Sequence, residues 1–286
     1  MKKNLLTALV QGPDQKGIIA RITNFIYQNG GNIVYLDQHT DTTEGMFFMR
    51  VQFSLDEFTI PRERIEPAFR TVCNELTMDY RLFFSDQKRR VAIMVSKEGH
   101  CLVDLLYRWE SGFLDIELPA VISNHETLRE VAEYYGVPYH YFPVTRETRE
   151  RYEPEILALL RSLDVDTVVL ARYMQILSPR FVDAYRNAII NIHHSFLPAF
   201  VGADPYRQAF QRGVKIIGAT SHYVTEELDQ GPIIAQDVIQ VSHRDTLEDF
   251  KRKGQDIEKL VLARAVSLHV ENRVLVYNGK TVVFGD

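Results

Sequence analysis

The stretch TVVLARYMQILSPRFVDAYRNAIINIHHS, from Thr167 to Ser195, holds two strand patterns and one helix signal. Thr167 to Leu170 is a short apolar run, and Ile189 to His193 is a second. Such runs are typical of strands that are buried on both faces of a sheet. Between them, Ser178 followed by Pro179 is typical of a helix N-cap and first turn. Strands and helices in this order indicate a mostly parallel sheet.

The same alternation extends over most of the chain. Before the quoted stretch we predict strands at Val91 to Val95 and Ala120 to Ser123, and helices near Leu102 to Trp109, Thr127 to Tyr135 and Pro154 to Leu163. After it we predict a strand from Ile216 to Tyr223 and, around Asn278-Gly279, a hairpin of Val274 to Tyr277 and Thr281 to Phe284. These elements predict an α/β domain with a mostly parallel, doubly wound sheet that helices cover on both faces.

Residues 1–85 follow a different order. Leu5 to Val10 predicts a strand, and the spacing of Ile18, Ile22 and Ile26 predicts a helix. The remaining predicted elements are an extended segment from Asn32 to Asp41, a strand from Phe47 to Phe53, a helix after Pro61 and a strand from Tyr80 to Phe84. This βαββαβ order predicts a ferredoxin-like sandwich. Since the following residues are polar or charged, we expect a first domain at 1–85, a linker at 86–90 and a second domain at 91–286.

Composition and charge restrict the partners. The chain has 286 residues, which suits two domains, and its 33 basic and 38 acidic side chains give a formal net charge of -5. We therefore expect no nucleic acid partner. No apolar stretch approaches the roughly twenty residues that span a bilayer, so we expect no membrane partner. Cys73 and Cys101 lack the spacing of a disulfide framework, which favours a cytoplasmic protein.

Polar side chains lie at the carboxyl end of the predicted strand Ile189 to His193, the edge where open α/β sheets bind ligands. Asn191 and His193 are two residues apart on an extended segment, so their side chains point to the same face. There an amide can polarise a carbonyl and an imidazole can protonate a leaving nitrogen. Asp229, in a later Asp-Gln-Gly-Pro turn, offers a carboxylate that can hold the histidine and orient a water molecule.

Two other interpretations of these residues stay open. A histidine beside a strand is frequently structural, so the trio alone does not establish catalysis. His193, His194 and His222 with Asp229 can also be drawn as a zinc site. Because neighbours on a strand face opposite sides, one ion does not easily bind both His193 and His194. We expect no metal, and we expect His222 to belong either to a pocket wall or to the core.

Several longer motifs resemble known families. ARYMQILSPRFV, NIHHSFLPAF and GATSHYVTEELDQGPII, between Leu170 and Asp237, resemble the folate-dependent formyltransferase family. In Leu5 to Phe53, the motifs GPDQKGI, GGNI, DQHTD and FFMRVQF look like an ACT domain. Taken together, nearly the whole chain resembles the formyltetrahydrofolate deformylase family. The resemblance implies a hydrolase that converts 10-formyltetrahydrofolate to formate and tetrahydrofolate, with the folate as substrate and no separate cofactor.

The resemblance also implies roles for particular residues. It assigns Asn191 to the formyl oxygen, His193 to proton donation and oxyanion stabilisation, and Asp229 to positioning the histidine and the water. The residues implied in the folate pocket are Met174, Gln175, Ile176, Leu177, His194, Val224, Thr225, Glu226, Glu227 and Leu228. For Ile176 and Leu177, an ordinary core position is an equally good interpretation.

The loop Ser96 to Cys101 bears on the acceptor of the formyl group. The glycinamide ribonucleotide transformylases, which this domain also resembles, hold the acceptor's phosphate here in a glycine-rich turn. One glycine and Glu98 make a poor phosphate site, so we expect water as the acceptor, with transfer to an amine as the alternative. Gly202 is followed by Asp204, Tyr206 and Arg207, which belong either beside the acceptor or to the solvated start of a helix.

The ACT resemblance implies regulation by small amino acids. ACT domains bind them at subunit interfaces, through the loop after the first strand and the following helix start. Asp14, Gly17 and Asn32 are therefore candidate effector residues, although turn geometry alone also explains Gly17 and Asn32. A homo-oligomer, dimer or tetramer, is implied, and the deformylases respond to methionine and glycine. A non-enzymatic amino-acid sensor is the alternative, against which the complete set of candidate catalytic residues argues.

Overall fold

The structure, a computed structural model, describes residues 4–199 and 205–285. These residues divide by their contacts into two units. The first unit holds residues 4–88, 271–277 and 281–285, and the second holds 89–199, 205–270 and 278–280. None of the described helices combines the length and the apolar composition that crossing a bilayer requires.

The first unit contains the βαββαβ order. Its elements are β1 (Leu5–Pro13), α1 (Ile18–Gln28), β2 (Asn32–Asp41), β3 (Met46–Ser54), α2 (Arg62–Glu75) and β4 (Asp79–Phe84). The strands form one antiparallel sheet in the order β2-β3-β1-β4. Both helices pack on one face, where Ile22 and Phe69 are completely buried. The predicted ferredoxin-like sandwich is confirmed.

The second unit alternates strands and helices. In chain order they are β5 (Arg89–Val95), α3 (His100–Glu110), β6 (Ile116–Ser123), α4 (Arg129–Tyr134), β7 (Tyr139–Tyr141), α5 (Arg149–Ser162), β8 (Thr167–Leu170), α6 (Pro179–Ala184), β9 (Ile189–His193), α7 (Pro205–Arg212), β10 (Ile216–Tyr223), β11 (Ile233–Gln240) and α8 (Leu247–Val270). The predicted α/β class is confirmed. The sequence patterns predicted none of β7, β11 and α8, and they indicated the start of α7 only as one of two interpretations.

The sheet of the second unit has the strand order β11-β10-β9-β8-β5-β6-β7. From β7 across to β9 neighbouring strands are parallel, whereas β10 is antiparallel to both β9 and β11. The chain proceeds from β5 to β6 and β7 on one side, and then continues with β8 and β9 on the other. Ligands of open α/β sheets bind at the carboxyl ends of strands near such a reversal. Ser96 and Ala171 follow β5 and β8 at this position.

A C-terminal hairpin of β12 (Val274–Tyr277) and β13 (Lys280–Val283) follows α8. Leu275 and Phe284 are buried against Leu9 and Phe48, on the sheet face of the first unit that α1 and α2 leave uncovered. The first unit's sheet therefore has apolar cover on both faces, and the two parts of its core lie far apart in the sequence.

The units differ in two places from the domain limits that we expected. Arg89 and Arg90, assigned to the linker 86–90, begin β5 instead. Arg90 N donates to Asp166 Oδ2 at 2.9 Å, and its Nε donates to the Leu163 carbonyl at 2.8 Å, so these contacts fix a charged segment as a strand. Residues 271–277 and 281–285, assigned to the second domain, belong to the first unit because the apolar side chains of the hairpin pack there.

The hairpin core predicts a measurable contribution to stability. Leu275→Ala removes a side chain that is buried against Leu9 and Phe48, and we expect it to lower the free energy of unfolding of the first unit by about 2–4 kcal/mol. The matched control is Val283→Ala in the same hairpin, where the side chain is exposed and the cost should stay below roughly 0.5 kcal/mol. Urea titrations followed by circular dichroism measure both, and equal effects would contradict the assigned packing.

Candidate active site

A cavity of about 410 Å³ lies beside the carboxyl ends of β8 and β9. Its wall is built by the loop that follows β8, by β9 and by the loop that follows β10. The lining residues are Leu170, Arg172, Tyr173, Met174, Gln175, Ile176, Leu177, Asn191, Ile192, His193, His194, His222, Val224, Thr225, Glu226, Glu227, Leu228 and Asp229. The side chains that we assigned to catalysis and to the folate pocket all belong to this wall.

Asn191 and His193 are held on β9, and β10 pairs with both. His222 lies opposite Asn191 in the register, and Thr220 lies opposite His193. The Ser221 hydroxyl donates to the backbone carbonyl of Asn191 at 2.9 Å, which ties the two strands together beside the site. Because opposite residues in an antiparallel pair project to the same side, Asn191, His193 and His222 share one face.

Asp229 binds His193 directly. The distance from His193 Nδ1 to Asp229 Oδ2 is 3.2 Å, and both side chains are largely buried. Since a carboxylate only accepts, Nδ1 carries the proton. The other ring nitrogen, Nε2, is buried and has no hydrogen-bond partner within the described residues. The imidazole is therefore oriented with one nitrogen left for a substrate atom.

The electrostatics of the pair keep Asp229 ionised. The hydrogen bond from His193, and after it the interaction with the nearby His222 ring, hold the pKa of Asp229 well below its ordinary range, although burial opposes this. A carboxylate that stays charged is suited to stabilising a histidine that gains a proton during a reaction.

His222 lies on the other side of the same carboxylate, and its role was left open by the sequence. Its Nδ1 lies 2.9 Å from the Tyr223 carbonyl, which only accepts, so Nδ1 carries the proton. Its Nε2 lies 3.3 Å from Asn191 Nδ2 and 3.7 Å from Asp229 Oδ1. In the neutral ring Nε2 accepts from the amide of Asn191. His222 thus fixes the orientation of the Asn191 amide, so that its Nδ2 group is the donor on the cavity side.

The loop after β10 depends on two unusual backbone positions. Asp229 has a φ of 57°, in the left-handed region that few residues other than glycine, asparagine and aspartate adopt. A Cβ atom at Gly231 would lie 1.7 Å from the Tyr223 carbonyl oxygen. Glycine is therefore required at 231 for the loop to close against β10, and this closure presents Asp229 to His193.

The segment after β8 combines buried and exposed apolar side chains. Leu177 packs in the main core of the second unit, as one of our two interpretations had it. Ile176 does not belong to the core, because 59% of its surface is exposed at the cavity wall, and Met174 and Leu228 are similarly exposed. Ser96 anchors this segment, since its hydroxyl accepts a hydrogen bond from Met174 N at 3.0 Å. Exposed apolar groups around a polar centre suit a flat, largely apolar ligand.

Comparisons with known proteins agree with this arrangement. Residues 89–266 match the formyl transferase family, and residues 7–73 match the ACT domain. A formyltetrahydrofolate deformylase from Synechocystis sp. is 52% identical over 99% of this chain and 100% of its own length. The chain belongs to the formyltetrahydrofolate deformylase family. The resemblance that the sequence motifs indicated is confirmed.

Solved structures place this deformylase-family chain in the same group. A formyltetrahydrofolate deformylase from Pseudomonas syringae superimposes with a TM-score of 0.97 at 48% identity, over 100% of this chain and 96% of that one. Glycinamide ribonucleotide transformylase 1 from Symbiobacterium toebii reaches a TM-score of 0.67 at 31% identity, over 72% of this chain and 98% of its own. The second likeness covers much less of the chain than the first.

The candidate effector residues are not adjacent within one copy of this deformylase-family chain. Asp14 and Gly17 follow the carboxyl end of β1. Asn32 begins β2 opposite Ser54, which also pairs with Leu5 at the amino end of β1. The two ends of this nine-residue strand are about 30 Å apart. The three residues therefore do not form one site in a single chain.

Two other groups of residues bear on our expectations. Gly202 and Asp204 lie outside the described residues, whereas Tyr206 is buried at the start of α7 rather than solvated. Within the described ranges, the only three side chains with metal-ligand atoms all within 4.8 Å of one another are those of His100, Cys101 and Glu258. The metal-independence of the catalytic trio remains a prediction.

His194 provides a pH test of the site. Burial, assisted by the charge of Arg172, lowers the pKa of His194 to about 4, against about 6.5 in an unfolded chain. The unfolded state thus binds more protons between these values, and stability is lost as the pH falls through this window. We expect His194 to contribute a loss of about 2 kcal/mol in unfolding free energy between pH 7 and pH 5. Urea titrations of His194→Gln should lack this loss, and an unchanged pH dependence would contradict the assignment.

Proposed function

We propose that this chain hydrolyses 10-formyltetrahydrofolate to formate and tetrahydrofolate. The observation that carries the proposal is the buried Nε2 of His193, which has no partner among the described residues while Asp229 holds the opposite nitrogen. Membership of the deformylase family supports the same reaction. The folate is the substrate, and the proposal includes no separate cofactor and no metal.

Substrate binding uses the two loops of the cavity. The pteridine ring packs against the exposed apolar side chains of Ile176 and Leu228, which lose water contact when it binds. The formyl oxygen accepts a hydrogen bond from the Asn191 Nδ2 proton that His222 does not use. This donor polarises the carbonyl and stabilises negative charge as it develops on the oxygen.

The hydrolytic step then follows from the His193–Asp229 pair. Asp229 holds a water molecule, whose oxygen attacks the formyl carbon while its proton passes to Nε2 of His193. The ionised Asp229 stabilises the resulting imidazolium. The imidazolium next donates its proton to N10, the bond between the formyl carbon and N10 breaks, and formic acid leaves and ionises in solution.

Formate release tests the proposed reaction. The purified full chain is incubated with 10-formyltetrahydrofolate, without any amine, in the presence and absence of a chelator. We expect stoichiometric formate and tetrahydrofolate in both conditions, measured with a coupled formate dehydrogenase assay. A lack of formate would refute hydrolysis, and a loss of formate with the chelator alone would show that the reaction needs a metal.

Asp229→Asn tests the residue roles in the same assay. Asparagine tolerates the left-handed backbone of position 229, so the loop should keep its conformation. The variant cannot stabilise the imidazolium by charge, and we expect kcat to fall by about 10²- to 10⁴-fold. The control is Asp237→Asn on β11, outside the cavity, which should retain turnover. Full activity of Asp229→Asn would remove Asp229 from the mechanism.

We further propose that small amino acids regulate the chain at an interface between copies of its ACT domain. Because Asp14 and Gly17 lie at one end of β1 and Asn32 at the other, a site that contains all three needs a second copy. A homo-oligomer, dimer or tetramer, is the corresponding assembly.

Methionine or glycine should change the rate of formate release, and Asn32→Ala should abolish that response while the basal rate stays unchanged. An equal response in the variant would exclude Asn32.

The cysteines support a cytoplasmic location for this activity. Cys73 and Cys101 are both free and buried. Burial raises the pKa of Cys73 to about 12, so its thiol stays protonated and unreactive. Buried free thiols without a disulfide partner suit a reducing compartment.

A further inference from the structure

A buried carboxylate lies in the second unit next to the catalytic cavity. Glu258, on α8, is 0% exposed. His100 Nε2 donates to its Oε2 at 2.8 Å, and Arg172 Nε lies 3.5 Å from the same oxygen. The Tyr206 hydroxyl donates to Oε1. Although burial opposes ionisation, the hydrogen bond from His100 and the charge of Arg172 hold the pKa of Glu258 below its ordinary value. Glu258 is thus an anion that three side chains cover. We call His100, Arg172 and Tyr206 together the Glu258 cover.

The Glu258 cover reaches the catalytic cavity at two points. Arg172 lines the cavity itself. The His194 ring, which also lines it, lies 5.8 Å from the Tyr206 ring and 5.4 Å from the His193 ring, measured between centroids. The covered carboxylate is therefore separated from the reacting groups by one layer of side chains.

Two locally unfavourable features build the cover. Arg172 has a φ of 64°, which is uncommon for a residue with a long side chain. Gly254 lies inside the 24-residue helix α8, where glycine is less favourable than alanine. A Cβ atom at Gly254 would lie 2.1 Å from Tyr206 Cζ. The glycine makes room for the Tyr206 ring, and the backbone at 172 turns the arginine toward Glu258.

We propose that the Glu258 cover determines the acceptor of the formyl group, an inference that rests on the proposed hydrolysis. A primary amine is cationic at neutral pH, and an accessible carboxylate next to the catalytic cavity would bind it. Arg172, Tyr206 and His100 hide that carboxylate and satisfy both of its oxygens. Water needs no such anionic site, so it remains as the acceptor.

With Glu258 uncovered, formyl transfer to an amine becomes possible. The bound amine loses one proton to solvent, and its nitrogen attacks the formyl carbon. The remaining excess proton passes to Nε2 of His193 and from there to N10 as the bond between the formyl carbon and N10 breaks. The products are a formamide and tetrahydrofolate, and the step needs no additional reactant.

Arg172→Gly tests the proposal, because glycine suits the positive φ at this position and the loop backbone should persist. Each protein is incubated with 10-formyltetrahydrofolate and glycinamide, and formate and formylglycinamide are quantified by NMR. We expect almost only formate from the wild-type chain, and a ratio of formylglycinamide to formate that is at least about tenfold higher from Arg172→Gly. The control is Asp164→Gly, which makes the same kind of backbone change at a φ of 49° outside the cavity.

Further variants keep the test decisive. Adding Glu258→Gln to Arg172→Gly should return the product ratio to the wild-type value, because the anion is what binds the amine. Should Arg172→Gly fail to fold, Tyr206→Ala uncovers the other carboxylate oxygen and carries the same expectation. Folded variants that release formate but form no formylglycinamide would overturn the proposal.

Calorimetry separates this inference from the proposed hydrolysis. Glycinamide is titrated without folate into the wild-type chain and into Arg172→Gly. Saturable binding to the variant alone supports an uncovered anionic site, whether or not formate is ever released. Equal binding, or none to either protein, contradicts the cover, while absence of formate from all proteins contradicts only the proposed reaction.

Discussion

The antiparallel pairing of β9 with β10 is the constraint on which the site depends. It sets His222 opposite Asn191 and so fixes the orientation of the amide. It also sends β10 out of the sheet beside Ile190, away from His193, so that the following loop has to return along β9 before Asp229 can reach the imidazole. The left-handed backbone at Asp229 and the close contact of Gly231 with β10 are consequences of that return.

Two carboxylates of the second unit, the half-buried Asp229 and the buried Glu258, have different surroundings and therefore different roles. Asp229 accepts a hydrogen bond from His193 and lies beside His222, but it remains at the cavity wall, so its charge can act on a bound substrate. Glu258 is enclosed by groups that satisfy both oxygens. Removing one partner of a buried charge is far more destabilising than the net stability of the intact set. The carboxylate of Asp229 therefore takes part in the proposed reaction, whereas that of Glu258 is enclosed and does not.

Local patterns in the sequence were sufficient for part of this arrangement. The period of two placed Asn191 and His193 on one face, and the order of elements predicted both folds. His222 was ambiguous because its role depends on strand pairing, which no local pattern shows. Glu258 and Arg172 were missed because α8 was not identified and because their contact joins residues that are far apart in the sequence. The C-terminal hairpin was recognised as a hairpin, but its packing partner is decided by tertiary contacts.

The loop after β5 contributes to the choice of acceptor in a second way, which its composition did not indicate. The composition of Ser96 to Cys101 argued for water as the acceptor because Glu98 and a single glycine form a poor phosphate site. In the structure the same loop supplies His100, which donates to Glu258 and begins α3. A loop that merely failed to bind phosphate would leave the adjacent carboxylate open to a cationic amine. Enclosing Glu258 removes the site that would attract the amine. The proposed choice of water therefore has two causes: the loop binds no phosphate, and it covers the carboxylate.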